Sequence, residues 1–181
     1  SLDGGERAQW KSHQPTIWGL TPSQMHDRFW AARGVQVIRN GEKAQLADRA
    51  DLFLLIFPGS LALFRIGSLV ETLSWLKVRV LLIRLRNDGG RGHREHAILD
   101  EGGRFVRFER LYGNSGSEVF RAALTPDREV ARWWQEAPTQ LDGWRRMGHE
   151  ISPELRTHVT VPGRLYETTR DSETMLFVQD L

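Results

Sequence analysis

The sequence predicts an α+β domain, a mixed and mostly antiparallel sheet covered by about four helices. Three observations carry that prediction. Residues 51–86 read as a buried core, in which the apolar runs 52–57 (LFLLIF), 61–66 (LALFRI) and 78–85 (VRVLLIRL) are separated by Pro58-Gly59-Ser60 and by an amphipathic stretch from Ser68. The rest of the chain parses into short periodic segments, for a total of about eight strands and four helices. These do not alternate regularly, as a doubly wound sheet would require.

The elements follow in chain order. Residues 1–15 are polar and read as a flexible lead. Thr21-Pro22-Ser23-Gln24 opens a helix: Thr caps, Pro suits the first helical position, and Gln completes a capping box. Met25, Phe29 and Ala32 are its expected inward face, and Gly34 ends it. Residues 35–39 form a strand, and Asn40-Gly41 signals a hairpin. Pro58-Gly59-Ser60 likewise reads as the turn of a hairpin between 52–57 and 61–66. Ser68-Leu69-Val70-Glu71 is a second capping box, followed by Leu73 and Leu76 at helical spacing. The strand at 80–85 runs into the polar, glycine-rich residues 87–94. Residues 97–99 and 104–111 pair across Asp100-Glu101-Gly102-Gly103, and 117–124 is ambiguous between helix and strand. Thr125-Pro126 opens a third helix with Val130, Trp133 and Ala137 inward, and residues 139–147 form a fourth. Beyond Gly148, residues 157–161, 165–169 and 174–178 read as short strands, with Pro162-Gly163 as a turn. The expected organisation is one α+β domain over 16–181, with 149–181 separable as a small β annex.

Composition narrows the function classes. With 25 basic against 23 acidic residues the net charge is only +2, far short of the surplus that electrostatic capture of DNA or RNA requires. The chain has no cysteine, which removes disulfides, thiolate chemistry and Cys-type zinc sites. The longest charge-free run, 52–64, is roughly 13 residues and holds Pro58 and Gly59, against about 20 apolar residues for a membrane span. Ser1 in place of Met, and an end directly after the apolar run 175–178, read as a piece of a longer chain.

The segment 87–96 is the candidate site. It leaves the carboxyl end of the most apolar strand, where open α/β sheets bind ligands. Gly89 and Gly90 free backbone N–H groups to approach an anion, and Arg91, His93 and Arg94 supply charge for a phosphate or sugar phosphate. His93-Arg94-Glu95-His96 meets neither zincin spacing, so no metal is assigned. Asp100-Glu101 fits a turn better than an acid–base pair. Residues 111–122 echo a kinase glycine-rich loop but lack its glycine spacing and any downstream lysine, which rejects that activity. No catalytic residue and no cofactor is called for. Seven tryptophans are many for 181 residues. Trp133 and Trp144 fall on apolar helix stripes, whereas Trp30 and Trp134 lie off them and are expected to form an exposed aromatic platform.

Residues 17–37 (IWGLTPSQMHDRFWAARGVQV) and 69–76 (LVETLSWL) resemble the amino-terminal soluble region of bacterial surface-polysaccharide biosynthesis proteins, where a soluble domain precedes a sugar-phosphate transferase or nucleotidyltransferase module. The membrane helix with an acidic dyad, or the glycine-rich nucleotide loop, that such modules carry has no match here. The resemblance therefore implies an accessory or regulatory domain, cytoplasmic or at the membrane face through its parent protein. Its partners would be a nucleotide-sugar or sugar phosphate and the other modules of the parent chain. The alternatives are a protein-interaction module working through Trp30 or Trp134 and, last, a nucleic-acid-binding domain.

Overall fold

Strand β2 (Leu52–Ile56) is buried at every residue, which a strand achieves only with both faces covered. The remaining architecture follows from that requirement. The structure, a computed structural model, describes residues 19–86, 94–111, 119–169 and 171–181. Five α-helices and eight strands lie among them. The helices are α1 (Pro22–Ala31), α2 (Gly67–Leu76), α3 (Arg128–Glu136), α4 (Gln140–Glu150) and α5 (Asp171–Asp180). The other strands are β1 (Val35–Arg39), β3 (Ser60–Phe64), β4 (Val80–Arg86), β5 (Arg94–Leu99), β6 (Phe105–Leu111), β7 (Val119–Thr125) and β8 (Arg156–Glu167).

Six strands form the main sheet in the order β1-β2-β7-β4-β8-β3, and β5 and β6 pair separately. The β1–β2 and β4–β8 contacts are parallel, and the other main-sheet contacts are antiparallel. This is the mixed α+β sheet the sequence predicts. One face buries Leu54, Ile56, Leu81 and Ile83 against Trp30 of α1 and Leu69 and Leu73 of α2. The opposite face buries Phe53, Leu55 and Val80 against Val130 and Trp134 of α3 and Met147 of α4. Phe177 of α5 packs on Leu61 and Tyr166 outside the first layer.

Several local expectations change, each for a physical reason. Residues 52–57 and 61–66 do not form a hairpin. An all-apolar β2 needs a strand on each side, and it takes β1 and β7, while β3 crosses to pair with β8 at the far edge. Asn40-Gly41 does turn the chain, with Gly41 at φ +76°, but it opens an excursion rather than a hairpin. That excursion is stitched by Gln36, whose Nε2 donates to Gln45 O and whose Oε1 accepts from Ala47 N, so that the chain returns parallel to β1. Thr21 makes the expected capping box. Ser68 does not: α2 begins at Gly67 with Ile66 at its cap and no side-chain bond. The buried stripe of α1 is Pro22, His26 and Trp30, because the indole is the largest apolar group available; Met25 and Phe29 flank it and Ala32 is exposed.

Pro162-Gly163 is no turn. At Gly163 a Cβ would lie 2.7 Å from Leu63 O and 2.8 Å from Phe64 Cβ, so the glycine lets β8 continue unbroken from β4 to β3. Residues 174–178 are helical, with Thr174 and Phe177 buried three apart and Met175 exposed.

Candidate functional site

β1, β2, β4 and β8 run in one direction, as their pairings require. Their carboxyl ends therefore fall at one edge of the sheet, the edge at which such sheets bind ligands. The segment after β4 that carries Gly89, Gly90, Arg91 and His93 departs from this edge, and those four residues lie outside the described residues. Arg94 is the first residue of β5, and its side chain lies outside them too.

What the structure adds is a cationic sheet face leading to that segment. Parallel register sets Leu82 beside His158, Arg84 beside Thr160 and Arg86 beside Pro162. Side chains alternate across a strand, so Val80, Leu82, Arg84 and Arg86 share a face with Arg156, His158 and Thr160. Val80 is buried in the apolar cluster under α3 and α4, and Leu82 packs against it. Further along the same face, Arg84 is half-buried and Arg86 exposed. An irregularity in the β4–β7 register falls between Ile83 and Arg84, the kind of feature that re-aims side chains beside binding sites. Partial loss of hydration, and then the positive charge of Arg84 and Arg156, hold the His158 imidazole below its usual value. The sequence signal was available: arginines at alternate positions 84 and 86 of an otherwise apolar strand break its pattern.

A second polar cluster joins the two edges of the sheet. Ala62 N of β3 donates to His26 Nε2 at 2.9 Å, and Trp30 Nε1 donates to Ala62 O at 3.0 Å. Because Nε2 accepts, the ring proton sits on Nδ1, which donates to Asp27 Oδ1 at 2.8 Å. Arg39 of β1 grips Asp27 with both terminal nitrogens, at 3.0 and 3.1 Å, and donates to Ser60 O at 3.3 Å. Burial, helped by the neighbouring Arg39 charge, holds the His26 pKa below its usual value against the opposing pull of Asp27. Burial pushes the Asp27 carboxyl up, but the hydrogen bonds from His26 and Arg39 prevail and keep it below the usual carboxylate value. A histidine–aspartate pair is the orienting half of a nucleophilic triad. Here the nitrogen that would act as base is occupied by a backbone N–H, so the pair clamps β3 and does no acid–base chemistry. The sequence reading did not single out either residue; the available signal was a histidine one turn before a tryptophan on a buried stripe.

The expected aromatic platform does not exist. Trp30 and Trp134 are 0% and 1% exposed. Their indole N–H groups, which make burial of tryptophan tolerable, bond to Ala62 O and Ile56 O. Among the described residues, the exposed indole is Trp75 of α2. Asp100 behaves as a turn residue, with Oδ1 accepting from Gly102 N and Arg104 N. Among the described residues, no three His, Asp or Glu side chains converge as a metal site would require. No described helix is long and apolar enough to cross a membrane.

No protein-family model matches the sequence, and no curated protein matches it. Solved structures show partial likeness. HddC from Yersinia pseudotuberculosis, complexed with GMP-PN, is 8% identical with a TM-score of 0.42, covering 72% of this chain and 56% of that one. A Bacillus anthracis protein assigned as a glucose-1-phosphate thymidylyltransferase, in complex with sucrose, is 15% identical with a TM-score of 0.36, covering 77% and 60%. The 4-diphosphocytidyl-2C-methyl-D-erythritol synthase from Anaerococcus prevotii is 7% identical with a TM-score of 0.45, covering 91% and 90%. The chain thus spans little more than half the length of the first two. At these values the likeness concerns the path of the chain through part of the fold.

Proposed function

We propose that this chain binds a nucleotide-sugar or sugar phosphate at the carboxyl edge of its sheet, as a non-catalytic accessory domain of a bacterial glycan-assembly protein. The observation that carries the reading is the cationic face of β4 and β8. Arg84 and Arg86 lie in line on that face and lead into the glycine- and arginine-rich residues 87–94, with His158, flanked by Arg84 and Arg156, further back along it. A phosphate placed there would meet fork-shaped donors suited to its oxygens. Gly89, Gly90, Arg91, His93 and Arg94 complete the proposed contact set, with the backbone N–H groups of the glycines as further donors.

Thermal melting of the chain with UDP-glucose, GDP-mannose, glucose 1-phosphate and inorganic phosphate tests this. A ligand at about a hundred times its dissociation constant adds about 2.7 kcal/mol of stability, a rise of about 5–10 °C for a domain of this size. Arg91→Ala and Arg94→Ala should each remove the rise while leaving the ligand-free melt unchanged. The bound anion should also raise the His158 pKa, read by imidazole NMR, because it opposes the positive field there. A rise that survives in both variants would refute the assignment. Incubation with a nucleoside triphosphate, magnesium and a sugar 1-phosphate should release no pyrophosphate; release would replace the accessory reading with nucleotidyl transfer.

A further inference from the structure

The first half of β8 is an open edge. Residues 156–162 pair with β4 on one side, and β3 pairs only with residues 163–167. Among the described residues, no strand pairs with the other side of 156–161. Successive residues of a strand turn their N–H and C=O groups to opposite sides, so alternate residues of this stretch offer their backbone away from β4. Such an edge is a template for an added strand. It is also open to solvent: Arg156, Thr157, Val159, Thr160 and Val161 are half-buried and His158 is exposed. Its side chains set what the added strand must carry. Arg156, His158 and Thr160 stand on the face shared with Arg84 and Arg86, and Val159 and Val161 on the other, against the apolar cluster of Leu69 and Leu73. Charge here has one sign. Residues 72–87 and 155–166 hold no acidic side chain. The exposed Glu150 and Glu154 lie before the strand starts, and Asp180 of α5 pairs with Arg164 beyond the open stretch.

We propose that the open edge of β8 takes up an extended partner peptide as an added strand, one that alternates acidic with apolar residues. Side chains of neighbouring strands meet face by face. The acidic residues of the peptide therefore lie beside Arg156 and His158, the apolar ones beside Val159 and Val161, and its main chain completes the ladder. Charge argues against a second copy of the chain as the occupant. Two β8 edges paired antiparallel about a two-fold axis would bring Arg84, Arg86 and Arg156 of both copies to one face with no carboxylate between them. Like charges across a strand pair destabilise it. The arginines that keep like edges apart thus select a partner of opposite charge. This inference stands independently of the ligand proposed for residues 87–94.

Backbone NMR of the chain titrated with a short capped peptide alternating valine with glutamate tests it. The amides of residues 156–161 should shift and gain protection from exchange, while those of β1 at the other edge should not. Affinity should fall as salt rises, since the charge contribution is screened. Replacing the glutamates of the peptide by lysine should remove binding through charge, and N-methylating its amides should remove it through the ladder. Arg156→Glu should weaken the glutamate peptide by up to about ten-fold and admit the lysine peptide, a gain that misfolding cannot produce. No change at residues 156–161 with the glutamate peptide would overturn the inference, as would equal binding of the lysine or the N-methylated peptide. Shifts at those residues that grow with the concentration of the chain alone would assign the edge to a second copy instead.

Discussion

Glycine within a helix normally costs about 1 kcal/mol relative to alanine, so replacing Gly143 at the end of the first turn of α4 should stabilise the protein if propensity alone decided. The packing predicts the opposite sign. A Cβ at Gly143 would lie 2.4 Å from Cε3 and 2.6 Å from Cζ3 of Trp134. That indole cannot swing aside cheaply. It is 1% exposed, donates to Ile56 O at 2.8 Å and meets the Trp144 ring edge-on at 5.0 Å. Rotating it would strand a buried donor, at about 1–3 kcal/mol, and moving α4 outward would open the cluster beneath it. Overpacking of this kind costs typically about 1–3 kcal/mol or more. With the propensity gain subtracted, Gly143→Ala should still lose up to about 2 kcal/mol, a drop of as much as about 4–8 °C in Tm. Gly148 in the same helix is the internal control. Its added Cβ would meet only Arg156 Nη1, at 3.3 Å, the end of a flexible side chain, so Gly148→Ala should be neutral or gain up to about 1 kcal/mol. Differential scanning fluorimetry and urea melts of both variants read the signs directly. If Gly143→Ala melts at or above wild type, the close fit of Trp134 against α4 is refuted.

Two further perturbations probe the strands. Burial in the folded protein holds the His26 pKa below the ordinary imidazole value of about 6.5, so the unfolded chain binds a proton first. Stability should be full above pH 6.5 and fall as the pH drops from there toward the depressed folded value, and His26→Gln should flatten that slope in urea melts taken across the window. Gly163→Ala brings a Cβ against the rigid Leu63 carbonyl at 2.7 Å and should cost about 2–3 kcal/mol; a melt equal to wild type would mean that β8 does not pass so close to β3.

How much of this was legible in the sequence depends on whether the deciding interaction was local. The Thr21 box and the Asp100 turn are contacts within four residues, and both are as the sequence says. The strand at 52–57 was legible as buried. Its partners were not, because a continuous apolar run specifies two covered faces without naming the strands beside it. Pro162-Gly163 has the composition of a turn, yet Gly163 is there for clearance from Leu63 and Phe64, a hundred residues away in sequence. Helical phase misled at Trp30 and Trp134: each lies beside the stripe assigned to its helix, and each is buried because a distant carbonyl accepts its N–H. At the candidate site, the arginines of β4 were visible one by one. Their union with His158 and Arg156 needed the parallel β4–β8 pairing, which no local pattern encodes.

The clamp between β1 and β3 shows why the sheet has this shape. Six strands at about 4.8 Å spacing would set the outer two roughly 24 Å apart in a flat sheet, yet Arg39 at the end of β1 donates to Ser60 O at the start of β3. The sheet must therefore curl until its edges nearly meet. The backbone groups of β3 that face away from β8 would then be buried without partners, an expensive state. His26 and Trp30 fill that need from α1, one accepting the Ala62 N–H and the other donating to its carbonyl. An edge closed by side chains also offers no template for pairing with another chain. It follows that α1 is part of the sheet's closure and not a detachable cover, and that protonating His26 has a cost beyond its own burial. A second ring proton, on Nε2, would point at the Ala62 N–H, with the Arg39 guanidinium 3.3 Å from Nδ1. Acid should therefore weaken the β3 edge first. Hydrogen exchange at pH 5 should show the Ala62 amide losing protection ahead of Leu54 and Leu55 at the sheet centre; loss of protection at all three together would mean that the clamp and the sheet unfold as one unit.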